Sequence, residues 1–196
     1  MSIELIIAVV VILGLIFYLI SIYNKLVALK NRVDNGWAQI DVQLQRRYDL
    51  IPTLVETAKG YMKHEKETLK MVIDARNSAN DAAKAATGNP SDQNAMKNLQ
   101  ASEKKLQGAM MNFQALAEGY PDLKANTNML ALQEELATTE NKVGFSRQAF
   151  NDAVMQYNTG IEMFPNSLIA NQFKFTQATE WQIEDQEAKK NVKVTF

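Results

Sequence analysis

Leu5 to Tyr23 reads LIIAVVVILGLIFYLISIY, nineteen residues without a single charge. As a helix rising about 1.5 Å per residue it spans roughly 28 Å, close to the hydrocarbon thickness of a bilayer. Leu5 opens the run and Gly14 lies near its middle. Tyr18 and Tyr23 sit toward its far end, where amphipathic rings favour the membrane–water boundary. A cleaved signal peptide is the competing reading. It fits worse, because the leading residues carry Glu4 and no lysine or arginine, and no small-x-small cleavage site follows. The run therefore reads as a retained membrane anchor. Ala8 and Gly14 are six apart, so the run offers no small-xxx-small pairing motif. Lys25, Lys30 and Arg32 follow it, against the amino group and Glu4 before it. Basic flanks stay cytoplasmic, which places a short N-terminal tail outside and the bulk of the chain in the cytoplasm.

The rest of the chain keeps helical spacing. Three turn clusters punctuate it: Thr87-Gly88-Asn89-Pro90-Ser91-Asp92, Glu118-Gly119-Tyr120-Pro121-Asp122 and Phe164-Pro165-Asn166-Ser167. From 24 to 86 one apolar stripe runs through Val33, Trp37, Ile40, Leu44, Ile51, Val55, Ala58, Met62, Leu69 and Val72, interrupted at Arg47 and Glu65. A second stripe uses Met96, Leu99, Leu106, Met110, Phe113 and Ala117. A third uses Met129, Leu132, Leu136, Val143, Phe150, Val154, Tyr157 and Ile161. These are periods of three and four, not the alternation of strands. Ser91 or Asp92 can cap the helix after 92, Asp122 the next, and Ser167 a short helix over Leu168–Gln172.

Pro52 leaves two outcomes open. The stripe crosses it without a phase slip and no glycine or asparagine stands beside it, which favours a kinked, continuous helix. Alternatively the helix restarts, with Asp49 as N-cap and Pro52 in the first turn. The expected architecture is all-α: an N-terminal transmembrane helix running into an antiparallel bundle of three to four long helices, with a kink or break near Pro52. A short C-terminal helix and an irregular tail follow. The boundaries are an anchor over 1–23, a bundle over 24–172 and a tail over 173–196. The tail either lies along the bundle or hangs free, and the alternation of Val192, Val194 and Phe196 suggests an extended end.

Searching for chemistry gives mostly exclusions. Without cysteine there is no disulfide, thiolate metal site or cysteine nucleophile. His64-Glu65-Lys66-Glu67-Thr68 starts like a zinc-protease helix but has threonine where the second histidine belongs, and His64 is the only histidine. Glu134, Glu135 and Glu140 lack the Glu-x-x-His partners of a bundle metal site and read as a solvated face. Nucleotide-binding glycine boxes and the serine-hydrolase elbow are missing. A net charge of −1 and scattered basic pairs give no footprint for nucleic acid. No cofactor and no catalytic residue is expected.

The most informative stretch is Arg46-Arg47-Tyr48-Asp49-Leu50-Ile51-Pro52. Here a charge lies on the core stripe and a proline follows. Arg47 either pairs with a carboxylate, such as Glu65 or one on a neighbouring helix, and fixes register, or it forms a docking notch with the paired charges around it. Val42, Met71 and Phe145 lie off the stripes, as contact residues or as filling for a groove.

The stretch from Asn31 through Trp37, Arg46, Arg47, Tyr48 and Asp49 to Pro52 closely resembles the signature of the LemA family of bacterial membrane proteins. The likeness continues through Leu54–Thr57 and Gly60–Glu67. It returns in Tyr120–Asn126, Leu132–Leu136, Thr139–Asn141 and Tyr157–Pro165. The resemblance implies one N-terminal membrane helix and a cytoplasmic helical bundle in the bacterial inner membrane. It brings no agreed catalytic residues. It also hints at a membrane-associated partner, since a membrane metallopeptidase is among the proteins encoded near family members. The expected function is a non-enzymatic, membrane-anchored scaffold or adaptor that contacts lipid and acts by self-assembly or by binding such a partner. The alternative is a carboxylate-based metal- or ligand-binding bundle, or an enzyme, at the membrane.

Overall fold

A computed structural model of the chain describes residues 2–88, 90 and 92–182. Ser91 and the Val192–Phe196 alternation lie outside them. Six helices and no strand occur among the described residues: α1 (Ile3–Lys59), α2 (Lys66–Gly88), α3 (Gln93–Ala117), α4 (Pro121–Lys124), α5 (Thr127–Glu162) and α6 (Asn166–Gln172). The breaks after α2, α3 and α5 fall in the three turn clusters.

The apolar run is the first third of α1, a helix of 57 residues and about 86 Å. Every described residue up to Ser21 is exposed, and burial begins at Ile22 and Leu26. The run therefore projects beyond the bundle and is not absorbed into it. It is the one helix among the described residues long and apolar enough to cross a membrane.

From Leu26 onward α1 is the bundle's spine. It packs against α5 along its length and against α2 on another side, while α2 pairs with α3. Leu29 meets Gly160, Gly36 meets Phe150, Arg47 meets Glu140 and Tyr61 meets Asn126, so α1 and α5 run antiparallel. Gly36 permits a close approach of the two helices: a Cβ there would lie 3.2 Å from the Phe150 Cα. All ten residues of the 24–86 stripe are buried. The other two stripes are also buried, apart from Met110, Leu132 and Leu136, which pack partly buried against the core. Val42, Met71 and Phe145 are exposed and fill no groove.

The helix continues through Pro52 without restarting. The chain instead reverses at Gly60–Glu65, a break that the stripe marks with Glu65 and the gap from Met62 to Leu69. Met62 occupies this turn yet is fully buried, so the stripe survives while the direction of the chain changes. Tyr61 and Met62 both donate to the Ala58 carbonyl, at 3.0 and 2.9 Å, closing the last turn of α1. The result is four long helices of alternating direction, within the three to four expected.

Two caps differ from expectation. Asp92 caps α3 as expected, accepting from the backbone of Asn94 and Ala95. Asp122, however, lies inside the four-residue α4, and α5 opens five residues later, where the Asn126 side chain accepts from Met129 N at 3.0 Å. Similarly, α6 begins at Asn166, which leaves Ser167 inside it without a capping role.

The described part of the tail lies along the bundle. Asn158 and Asn151, seven apart on α5, each pair twice with its backbone. Asn158 donates to and accepts from Ala178, both at 2.9 Å. Asn151 accepts from Trp181 N at 2.8 Å and donates to its carbonyl at 3.1 Å. Tyr157 Oη donates to Thr176 O at 2.9 Å. These side-chain amides act as a substitute strand edge for an extended segment. Trp181 ends it buried, its ring centroid 5.9 Å from that of Trp37.

Candidate functional site

Each apolar stripe has at least one seven-residue gap, and one from each matters here: Leu44 to Ile51, Leu99 to Leu106, and Leu136 to Val143. The gaps hold Arg47, Glu103 and Glu140, and the fold brings all three to one level of the bundle. The Arg47 guanidinium donates to Glu103 on α3, and to Glu140 Oε2 on α5 at 2.6 Å. Tyr48 Oη donates to the other oxygen of Glu103. One arginine of α1 thus ties α3 and α5 together. The Arg47 and Glu103 side chains are only 11 and 12% exposed, whereas Glu140 is 59% exposed. Arg47 Nε is buried with no acceptor. Glu65, offered above as a partner for Arg47, is elsewhere: it accepts from Tyr120 Oη at 3.1 Å, near the Gly60–Glu65 reversal.

Burial opposes the charge on Arg47, but Glu103 and Glu140 outweigh it, so the guanidinium is held above its ordinary pKa. Burial, reinforced by Glu103, also raises the Tyr48 phenol well above the usual tyrosine range. Tyr48 is therefore a fixed donor, and the cluster is one cation, two carboxylates and one neutral hydroxyl.

The neighbouring motif residues surround this cluster. Arg46 faces outward and pairs with Glu135. Asp49, exposed, accepts from Gln45 Nε2 at 2.8 Å and lies 3.5 Å from Arg76 of α2. Pro52 has a specific consequence. Without an N–H it leaves the Tyr48 carbonyl, four residues back, without its helical donor. Arg76 Nε fills that vacancy at 2.8 Å. The proline thus opens a backbone acceptor through which α2 docks on α1. Trp37 lies on the same helix, nearer the apolar run. Its Nε1 donates to Thr87 Oγ1 of α2 at 3.2 Å, and its ring packs edge-on against Phe150 of α5, centroids 5.7 Å apart.

The residues expected to form an anchor stand apart from this cluster. Leu5 and Tyr18 are exposed, and a Cβ at Gly14 would meet nothing within 4 Å. Tyr23 is where the projecting segment joins the bundle, its ring 4.8 Å from Phe173 and 5.9 Å from Phe175.

Glu103 and the Asn151/Asn158 pair did not emerge from the sequence. The gap at Glu103 was visible as a missing apolar residue, and the asparagines as a heptad repeat of one polar type. Chemically the cluster is closed: Glu103 is spent on Arg47 and Tyr48. Among the described residues no group of three or more His, Asp or Glu is arranged to hold a metal ion. What the arrangement does is fix the register of three helices.

Comparisons with known proteins agree with the motif reading. A family model described as the LemA family matches residues 36–196. The chain is also similar to the Protein LemA of Metamycoplasma hominis, at 25% identity over 157 residues, covering 79% of this chain and 67% of that protein.

Proposed function

The chain belongs to the LemA family, and on that premise we propose that it is a non-enzymatic scaffold or adaptor, held in the bacterial inner membrane by one spanning helix. It works by self-assembly or by binding a membrane-associated protein, with a metallopeptidase as one candidate class. The observation that carries the reading is the continuity of α1. One helix begins as an exposed apolar rod and ends as the spine of a bundle locked by Arg47, with no loop between them. Such a joint holds the bundle at a fixed distance from the membrane, which suits a protein whose task is to present a surface. The closed ion-pair cluster supports a structural role in preference to catalysis. Lys25, Lys30 and Arg32 support a cytoplasmic bundle and an external N-terminus.

The test uses sealed vesicles of both orientations prepared from cells making the full-length protein. The chain is expected to stay in the membrane through an alkaline wash, and protease is expected to digest the bundle only where the cytoplasmic face is outward. Release by the wash contradicts the anchor, and digestion from the opposite face contradicts the orientation.

A further inference from the structure

Residues 163–173 read MFPNSLIANQF, eleven residues with no charge in a chain where 22% of residues are charged. They form the turn after α5 together with α6, bounded by Glu162 and Lys174. Ala170 is buried and Ile169 packs partly buried against the core, but the other apolar side chains are not spent there. Phe164 is 80% exposed, and Met163, Leu168 and Phe173 are each more than half exposed. Val42, Met71, Phe145 and the bundle's other exposed apolar residues are scattered along the helices, as on most protein surfaces.

The position of this cap is fixed by α1. Leu29 meets Gly160, and α5 runs antiparallel to α1, so Met163 and Phe164 lie about one turn nearer the projecting segment. The Phe173 ring packs tilted against that of Tyr23, the last residue of the apolar run. The uncharged cap therefore surrounds the point where the run leaves the bundle. Beside it, a cleft of about 540 Å³ is lined by Tyr23, Lys30, Asp34, Phe173 and Lys174, among others. Lys30 and Lys174 put two cations at this cleft, beside the point where the run leaves the bundle.

We infer that the α5–α6 cap is a second membrane contact: Met163, Phe164, Leu168 and Phe173 insert at the headgroup–acyl boundary of the bilayer, with Lys30 and Lys174 facing the phosphates. The inference rests on the anchor reading proposed above, since only a spanning α1 brings the cap to the bilayer. It adds that the bundle is seated on the membrane and does not stand off it. Aromatic and aliphatic side chains flanked by lysine are the composition of interfacial anchors.

The absence of native cysteine allows single labels. Gly14→Cys, Phe164→Cys, Leu168→Cys and Phe145→Cys are each made in the full-length chain and spin-labelled. They are then reconstituted in phosphatidylethanolamine–phosphatidylglycerol vesicles. All four positions are exposed, so folding is preserved, which circular dichroism checks. Collision with oxygen, which partitions into lipid, is compared with collision with a water-soluble nickel chelate. The expected result is severalfold suppression of nickel collisions at 164 and 168 relative to 145, with oxygen accessibility between those of 14 and 145. Labels at 164 and 168 that behave like 145, while 14 is deep, overturn the cap and leave the anchor standing. A water-exposed label at 14 overturns the anchor itself. Dipolar broadening at 164 and 168 that disappears on dilution with unlabelled protein, with both collision rates suppressed, assigns the cap to a second copy of the chain and overturns the lipid contact.

Discussion

Arg47 carries the most consequence of any single residue. Its bond to Glu103 is nearly buried at both ends, whereas its bond to Glu140 reaches a carboxylate that is mostly in water. The two arms should therefore differ. Arg47→Ala leaves Glu103 buried without its cation and is expected to cost about 3–5 kcal/mol. Glu140→Gln is expected to cost less than about 1 kcal/mol. Replacing the buried set together, as Arg47→Met, Glu103→Leu and Tyr48→Phe in one chain, should restore most of the loss, because an apolar cluster leaves neither a charge nor the Tyr48 hydroxyl to be compensated. Denaturant unfolding of the three variants measures this order, and equal losses for Arg47→Ala and Glu140→Gln would contradict it. Tyr48 adds a pH dependence. Its folded-state pKa is raised by burial and by Glu103, so as pH rises the unfolded chain ionises first. The contribution is intact below the unfolded tyrosine pKa of about 10 and is lost as pH climbs beyond it. Tyr48→Phe should therefore flatten the decline in stability above about pH 10. Tyr120 and Tyr157 are raised in the same direction, so a residual slope remains. An unchanged slope would remove Tyr48 from the account.

Among the elements, α1 shows why a proline can sit inside a helix that never breaks. In a helix interior proline costs about 3 kcal/mol, partly through the carbonyl it strands. Here Arg76 of α2 takes up that carbonyl, so a local defect becomes a link between helices. The two residues should be energetically coupled. With Pro52 present, Arg76→Met orphans the Tyr48 carbonyl and should cost about 1–3 kcal/mol. In a Pro52→Ala background the backbone N–H of residue 52 can satisfy the same carbonyl, and the Arg76→Met loss should shrink. A double-mutant cycle by thermal unfolding reads the difference, and additive losses would show that the carbonyl is not the shared element. The stripes were legible because burial imposes their period, and the loops after α2, α3 and α5 because they gather Gly, Pro and Asn. The reversal at Gly60–Glu65 was largely masked, since Met62 carries the apolar pattern into the turn and the interruption at Glu65 resembles the one at Arg47, where the helix continues. The start of α5 was misplaced for a similar reason. Asp122 follows a proline and looks like a cap, but the residue that accepts the orphan N–H is Asn126.

At the scale of the whole molecule, the sequence already held the division between a projecting apolar rod and a bundle. That division depends only on hydropathy and length. The site was half legible. Arg47 showed itself as a charge on an apolar stripe, but its partners could be found only after the fold had aligned three separate gaps. The tail was the least legible part, because its order comes from asparagines on α5 and not from its own composition. An exposed apolar rod continuous with a bundle, a closed ion-pair lock and a lateral surface of long helices are the features that support the proposed scaffold or adaptor role. The measurement that tests this most directly is the native mass of the full-length protein, extracted gently from its own membrane. The account predicts a uniform homo-oligomer, or a defined complex with a second protein. A bare monomer across extraction conditions would contradict it.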